Sequence, residues 1–230
     1  MNIERRLLLK GMALSSLAGM VVSSSGLTMA NTVLGGQARP ALPTLALVSG
    51  EVAESAFLQG INASPAAKQV KIQRTDLSLD FILGLEKRLR SGQQQRIIGL
   101  VDDASAALII DLARSAGARV QWLGQHRATA NASHHRLLSA EAASDCAPQL
   151  GLNLNACGTG FSLIEQRING HQAPLQASAA PRNNTGSEQW AATLGYTLAA
   201  LGTANVGQAP LVASRPSPLT GNFVSFSIEA

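Results

Sequence analysis

Between Thr44 and Gly124, short apolar runs alternate with stretches of helical periodicity, and this alternation limits the fold more than any other feature of the chain. Thr44–Ser49 (TLALVS) is an apolar run bounded by Pro43 and Gly50, which reads as a buried strand. Glu51–Ala63 places Val52, Phe57, Leu58 and Ile61 on helical spacing, and Gln69–Arg74 (QVKIQR) alternates like a strand. Thr75–Gln93 carries Leu79, Ile82, Leu83, Leu85 and Leu89 on one helical face. Arg96–Val101 (RIIGLV) is a third strand, Ala104–Ala116 a third helix stopped by Gly117, and Ala118–Gly124 (ARVQWLG) a fourth strand. Strands and helices in strict succession with short connections predict a Rossmann-like α/β fold. It has three layers and a mainly parallel sheet over residues 44–124, built from right-handed crossovers.

The remainder predicts a mixed part attached to that sheet. His135–Ser139 suits a fifth strand, and Ser139 can N-cap a short helix through about Pro148. Phe161–Ile168 and His171–Ala177 flank Asn169-Gly170, the signal of a hairpin turn, and Pro174 assigns the second of these strands to a sheet edge. Thr185 and Glu188 form a capping box for a helix over Ser187–Ala200, ended by Gly202. Asn222–Ile228 (NFVSFSI) alternates and closes the chain as a strand. Residues 44–230 are thus expected to form a single α/β domain. Trp122, Trp190 and Tyr196 belong to its core.

The first thirty residues have a different character. Met1–Lys10 reads MNIERRLLLK, followed by the weakly hydrophobic GMALSSLAGMVVSSSGLTMA. The order Arg5, Arg6, Leu7, Leu8, Leu9, Lys10 resembles a bacterial twin-arginine (Tat) signal peptide, with Glu4 where Ser or Thr is usual and Leu8 where Phe is usual. A Sec signal that begins with two arginines is the alternative. Gly19 and the Ser23–Ser25 run break the apolar stretch short of the ~20 residues that a membrane span needs. Thr28-Met29-Ala30 provides the small residues of a cleavage site. The organisation expected is a signal over 1–30, a Gly- and Pro-containing linker over 31–43, and no stable membrane span after cleavage. The resemblance implies the Tat export machinery as a partner and the periplasm as the destination. It also implies a chain that folds or finds a protein partner before crossing, such as an exported redox enzyme.

Removal of the signal changes the charge argument. The whole chain carries 18 basic and 14 acidic residues, a net +4, whereas residues 31–230 carry 15 and 13. No basic stripe interleaved with aromatics remains, so nucleic acid is not an expected ligand. The chain has no CxxC pair, GxGxxG or P-loop, and neither a cofactor nor a metal site is expected.

In an open α/β sheet ligands bind beyond the carboxyl ends of the strands. Ser49 and Glu51, then Asp102, Asp103 and Ser105, then His126 follow the first, third and fourth strands, and they form the candidate ligand-binding group. Adjacent carboxylates at Asp102-Asp103 can hold a cation or raise one another's pKa. The simpler reading makes Asp103 the N-cap of the following helix and leaves Asp102 to water. His126 beside Arg127 reads as an anion contact or a surface loop. His134-His135 reads as solvated loop, because neighbours on a strand point to opposite faces and cannot share one ion.

Residues 97–124, IIGLVDDASAALIIDLARSAGARVQWLG, resemble one lobe of the periplasmic ligand-binding proteins. There a strand ends in small polar residues at a helix N-terminus, which meets a ligand carboxylate. Asp102 and Asp103 stand where that pattern prefers neutral residues. Cys146 and Cys157, in an oxidising compartment, are expected to form a disulfide, with two buried free thiols as the alternative. No GxSxG elbow or recognisable nucleophile is present, so catalytic residues remain unassigned. The function these features favour is a non-catalytic exported partner, accessory or binding protein. The alternative is a small periplasmic hydrolase using Asp102, Asp103 and His126.

Overall fold

A computed structural model describes residues 42–143, 145–168, 173–182, 188–202, 207–213 and 218–230. The signal, most of the linker, the Asn169-Gly170 turn and the Thr185 end of the capping box lie outside the described residues.

The chain alternates as its apolar pattern predicts. β1 (Thr44–Val48) leads through a 3₁₀ turn at Val52–Glu54 into α1 (Ala56–Ala63), and β2 (Val70–Arg74) into α2 (Leu79–Leu89). β3 (Arg96–Val101) leads into α3 (Asp103–Ser115), and β4 (Arg119–Ala128) turns directly into β5 (Ala132–Ser139). α4 (Cys146–Ala156) crosses to β6 (Gly160–Arg167), followed by β7 (Leu175–Ala179), α5 (Gln189–Ala199) and β8 (Gly221–Glu229). These strands form one mixed sheet in the order β2-β1-β3-β8-β4-β5-β6-β7.

β1 is parallel to both β2 and β3. The fourth strand does not join them directly. β8 lies antiparallel between β3 and β4, with Gly99 and Leu123 both opposite Phe226. Phe226 can settle there because a Cβ on Gly99 would lie 2.4 Å from its ring. At the end of the β3–β8 pair, Arg96 and Glu229 form an ion pair at 2.9 Å. β7 occupies the sheet edge, where its Pro174 approach had assigned it.

Residues two apart on a strand share a face, and the two faces have separate cores. On one, Ala46, Val48, Ile98, Leu100, Trp122, Leu137 and Leu163 pack beneath α1, α4 and α5. On the other, Leu45, Leu47, Ile97, Val101, Val224, Phe226 and Ile228 pack beneath α2 and α3. α1 and α5 approach so closely that a Cβ on Gly60 would stand 1.9 Å from the Ala192 carbonyl oxygen, and one on Gly195 2.2 Å from that of Phe57. Every residue of α5 is buried, so the helix has no exposed face to offer a partner. Glu188, just before α5, accepts the N–H of Ala56 at 2.8 Å and of Leu219 at 2.8 Å, tying the start of α1 and the approach to β8 to the base of α5.

The expected disulfide does not form, and Cys146 and Cys157 are free. Cys146 opens α4 and Cys157 is its C-cap. At 1.5 Å per residue they are roughly 16 Å apart along the axis, whereas a disulfide needs Cα atoms within about 4.4–6.8 Å. The short helix expected to end near Pro148 is instead a 3₁₀ turn at Glu141–Ala143 followed by all of α4.

Candidate functional site

The parallel pairing of β1 and β3 brings Ser49, Glu51, Asp102, Asp103 and Ser105 to one end of the sheet. Ser49 is buried and donates its N–H to the Leu100 carbonyl at 3.4 Å, while Glu51 and Asp103 are exposed. The capping role falls to Asp102 rather than Asp103. Asp102 has an extended backbone, φ −67° and ψ 164°, and Oδ1 accepts the Ser105 N–H at 2.9 Å. Its Oδ2 accepts the Ser105 hydroxyl at 2.8 Å. Asp103 is the first helical residue, where a negative charge favours the helix dipole. Partial burial works to raise the Asp102 pKa, but the two Ser105 bonds, with the Asp102 and Ala104 N–H groups, together outweigh it and hold the carboxyl below its ordinary 3.8.

His126 does not belong to this edge. The strand runs on to Ala128, and β8 stands between it and β3. The imidazole is 2% exposed and lies within the helix-covered core, stacked 5.7 Å from the Trp190 ring. It is therefore neither a surface loop residue nor a neighbour of Asp102 and Asp103. Pairing across β4 and β5 sets His126 opposite His135. Strand alternation splits the adjacent histidines, with His135 buried and His134 exposed and bonded to Ser162 Oγ at 2.7 Å.

The buried pair completes a hydrogen-bonded chain. Trp122 Nε1 donates to Ser225 Oγ at 2.8 Å, and the same hydroxyl is hydrogen-bonded to His126 Nε2 at 2.7 Å. His126 Nδ1 is hydrogen-bonded to His135 Nδ1 at 2.8 Å, and His135 Nε2 to Ser133 Oγ at 2.9 Å. With both rings neutral and one Nδ1 donating to the other, all four ring nitrogens are satisfied. Burial, and next the neighbouring His135, holds His126 well below 6.5. Burial, and next His134, lowers His135 to about 3. Gly124 makes room for this arrangement, since a Cβ there would lie 2.6 Å from Ser225 Oγ and 2.8 Å from His126 Nε2.

Neither cysteine is suited to nucleophilic work. Burial, then the charges of Asp145 and Glu165, pushes the Cys146 thiol up to about 12 despite Arg96, and burial raises Cys157. Among the described residues, no three His, Cys, Asp or Glu side chains converge in a way that could hold a metal ion.

A different surface emerges on the side of the sheet that carries α2 and α3. Those helices pack against β1, β3, β8 and, through Val120 and Leu123, the first half of β4, while Gln125 and Arg127 of β4, His134 and Arg136 of β5, and Ile164 of β6 are exposed. Arg127 faces His134, Gln125 faces Arg136, and Arg136 faces Ile164 across the strands. None of β4 to β7 places a carboxylate on this side; Glu165, their one acidic residue, points into the opposite core. The alternating exposed positions of QHRA and SHHRLLS carry this signal in the sequence, but only once both segments are known to be strands. No family model, curated protein or solved structure matches this chain.

Proposed function

We propose that the chain is exported by the twin-arginine route and acts in the periplasm as a non-catalytic partner of another protein. Contact would be made through the open face of β4 to β7. The observation that carries this reading is the charge of that face, with Arg127, Arg136 and His134 exposed and no acidic side chain among them. An acidic surface on a folded protein is its electrostatic complement. The Arg5-Arg6 pattern agrees with a protein that travels folded or accompanied. The hydrolase alternative loses its geometry, because His126 is buried on β4 and β8 separates it from Asp102 and Asp103.

The test uses the full chain, tagged and isolated from the periplasm of cells carrying its native neighbours. A protein with an acidic surface should co-purify, and salt should weaken the association. The double variant Arg127→Glu with Arg136→Glu should lose it while keeping the wild-type melting temperature. Equal recovery with the charge-reversed face would overturn the docking surface. Normal export of an Arg5→Lys, Arg6→Lys precursor would overturn the route, because lysine lacks the planar guanidinium fork.

A further inference from the structure

Glu165 is the one carboxylate that the sheet turns into its core. On β6 it follows Phe161 and Leu163 on the face covered by α4, and it is 2% exposed. A carboxylate in such a place is costly unless it is hydrogen-bonded and paired. The Ser139 hydroxyl donates to Oε1, but Oε2 has no partner among the described residues. Oε2 is also not sealed inside the protein. Glu165 lines a half-open cavity of about 320 Å³, bordered by Pro148 from the first turn of α4 and by Pro174 and Leu175 leading into β7.

Arg167 lines the same cavity. It lies two residues beyond Glu165, on the same side of the strand. The two do not pair with each other, and Arg167 has no ion-pair or hydrogen-bond partner among the described residues. Opposite charges thus face one small space without neutralising each other, beside apolar walls. The volume lies at the low end of small-molecule sites, about 300–1,000 Å³. A singly charged ligand would satisfy one of the two groups and leave the other bare. A ligand with an ammonium at one end and a carboxylate at the other satisfies both.

We propose that this cavity binds a small zwitterion, with Glu165 receiving its ammonium, Arg167 its carboxylate, and Pro148, Pro174 and Leu175 its hydrocarbon body. The site lies on the opposite side of the sheet from the Arg127–Arg136 face, so the two proposals fail independently. It also lies away from the strand ends that carry Ser49 and Asp102.

The test is calorimetric titration of the full chain with glycine, β-alanine, 4-aminobutanoate and 5-aminopentanoate. Pentylamine and pentanoate serve as singly charged controls. One member of the zwitterion series should bind saturably, and both controls should bind at least about tenfold more weakly, the loss of one charge-assisted hydrogen bond. Glu165→Gln preserves shape and should abolish binding. Should that buried substitution disturb folding, Arg167→Gln at the half-buried position should still weaken binding by at least about tenfold with an unchanged melting temperature. Absence of saturable binding across the series, pentylamine binding as tightly as the best zwitterion, or binding indifferent to Arg167→Gln would each overturn the proposal.

Discussion

The Nδ1 atoms of His126 and His135 face each other at 2.8 Å across the β4–β5 pair, so one ring must donate and the other accept. That bond requires the accepting ring to stay neutral, because protonating it turns its Nδ1 into a second donor, and burial disfavours a charge on either ring. The folded protein therefore resists protons that the unfolded chain takes readily. The stability contributed by the neutral rings is fully present above pH 6.5, and it fades as pH falls toward the folded value of about 3 for His135. The slope for one such histidine is about 1.4 kcal/mol per pH unit. Melting temperature should fall steadily from pH 6.5 to about 4.5, and the slope should be shallower in His135→Gln. A flat profile in the wild type would show that the pair is not neutral in the folded state.

At α3 the two neighbouring aspartates should behave differently. Asp102→Ala removes the cap on Ser105 and should cost about 1 kcal/mol in urea denaturation, while Asp102→Asn should recover most of it. Asp103→Ala should cost only a few tenths of a kcal/mol, because it gives up a dipole interaction alone. Equal losses at the two positions would contradict the assignment of Asp102 as the cap.

Cys146 and Cys157 should both titrate with a thiol reagent in denatured, unreduced protein. In the native state the less buried Cys157 should react first and Cys146 far more slowly, since its thiol stays protonated up to about 12. Adding a reductant should leave the melting temperature where it was. Failure to find two thiols would mean that α4 does not hold the cysteines apart.

The contact between α1 and α5 leaves no room for a methyl group. Gly60→Ala and Gly195→Ala should each destabilise by at least about 3 kcal/mol, at the upper end of overpacking costs, because the obstructing atoms are backbone and cannot swing aside. Gly84→Ala on α2, where nothing lies within 4 Å of the added carbon, should be neutral or slightly stabilising. Circular dichroism melts of the three variants distinguish these outcomes.

How far the sequence could be read depended on whether a segment's partners were local. β1 and β3 follow directly from TLALV and RIIGLV, because apolar runs bounded by turn residues describe themselves. The apolar run of the fourth strand ends at Gly124, yet β4 continues to Ala128, and Gly124 within it makes space for Ser225 and His126. α4, with Pro148, Gly151 and two asparagines, has poor intrinsic propensity and is held by burial of Ala147, Leu150 and Leu154. Ser225 and Ser227 give β8 the alternation of a half-exposed strand, yet both are buried, Ser225 because Trp122 and His126 engage its hydroxyl. Glu165 was legible in principle, because it shares strand parity with Phe161 and Leu163 rather than with Ser162 and Gln166.

The position of β8 also sets the timetable by which this protein can mature. β3 and β4 never touch as neighbours; each meets the sheet through residues 221–229, which the ribosome makes after every other strand. Until then the growing chain holds two half-sheets, each with a bare edge able to recruit foreign strands. Phe226, which fills the space over Gly99, arrives only at that final stage. Any factor that holds the nascent chain in that interval acts on an unfinished sheet.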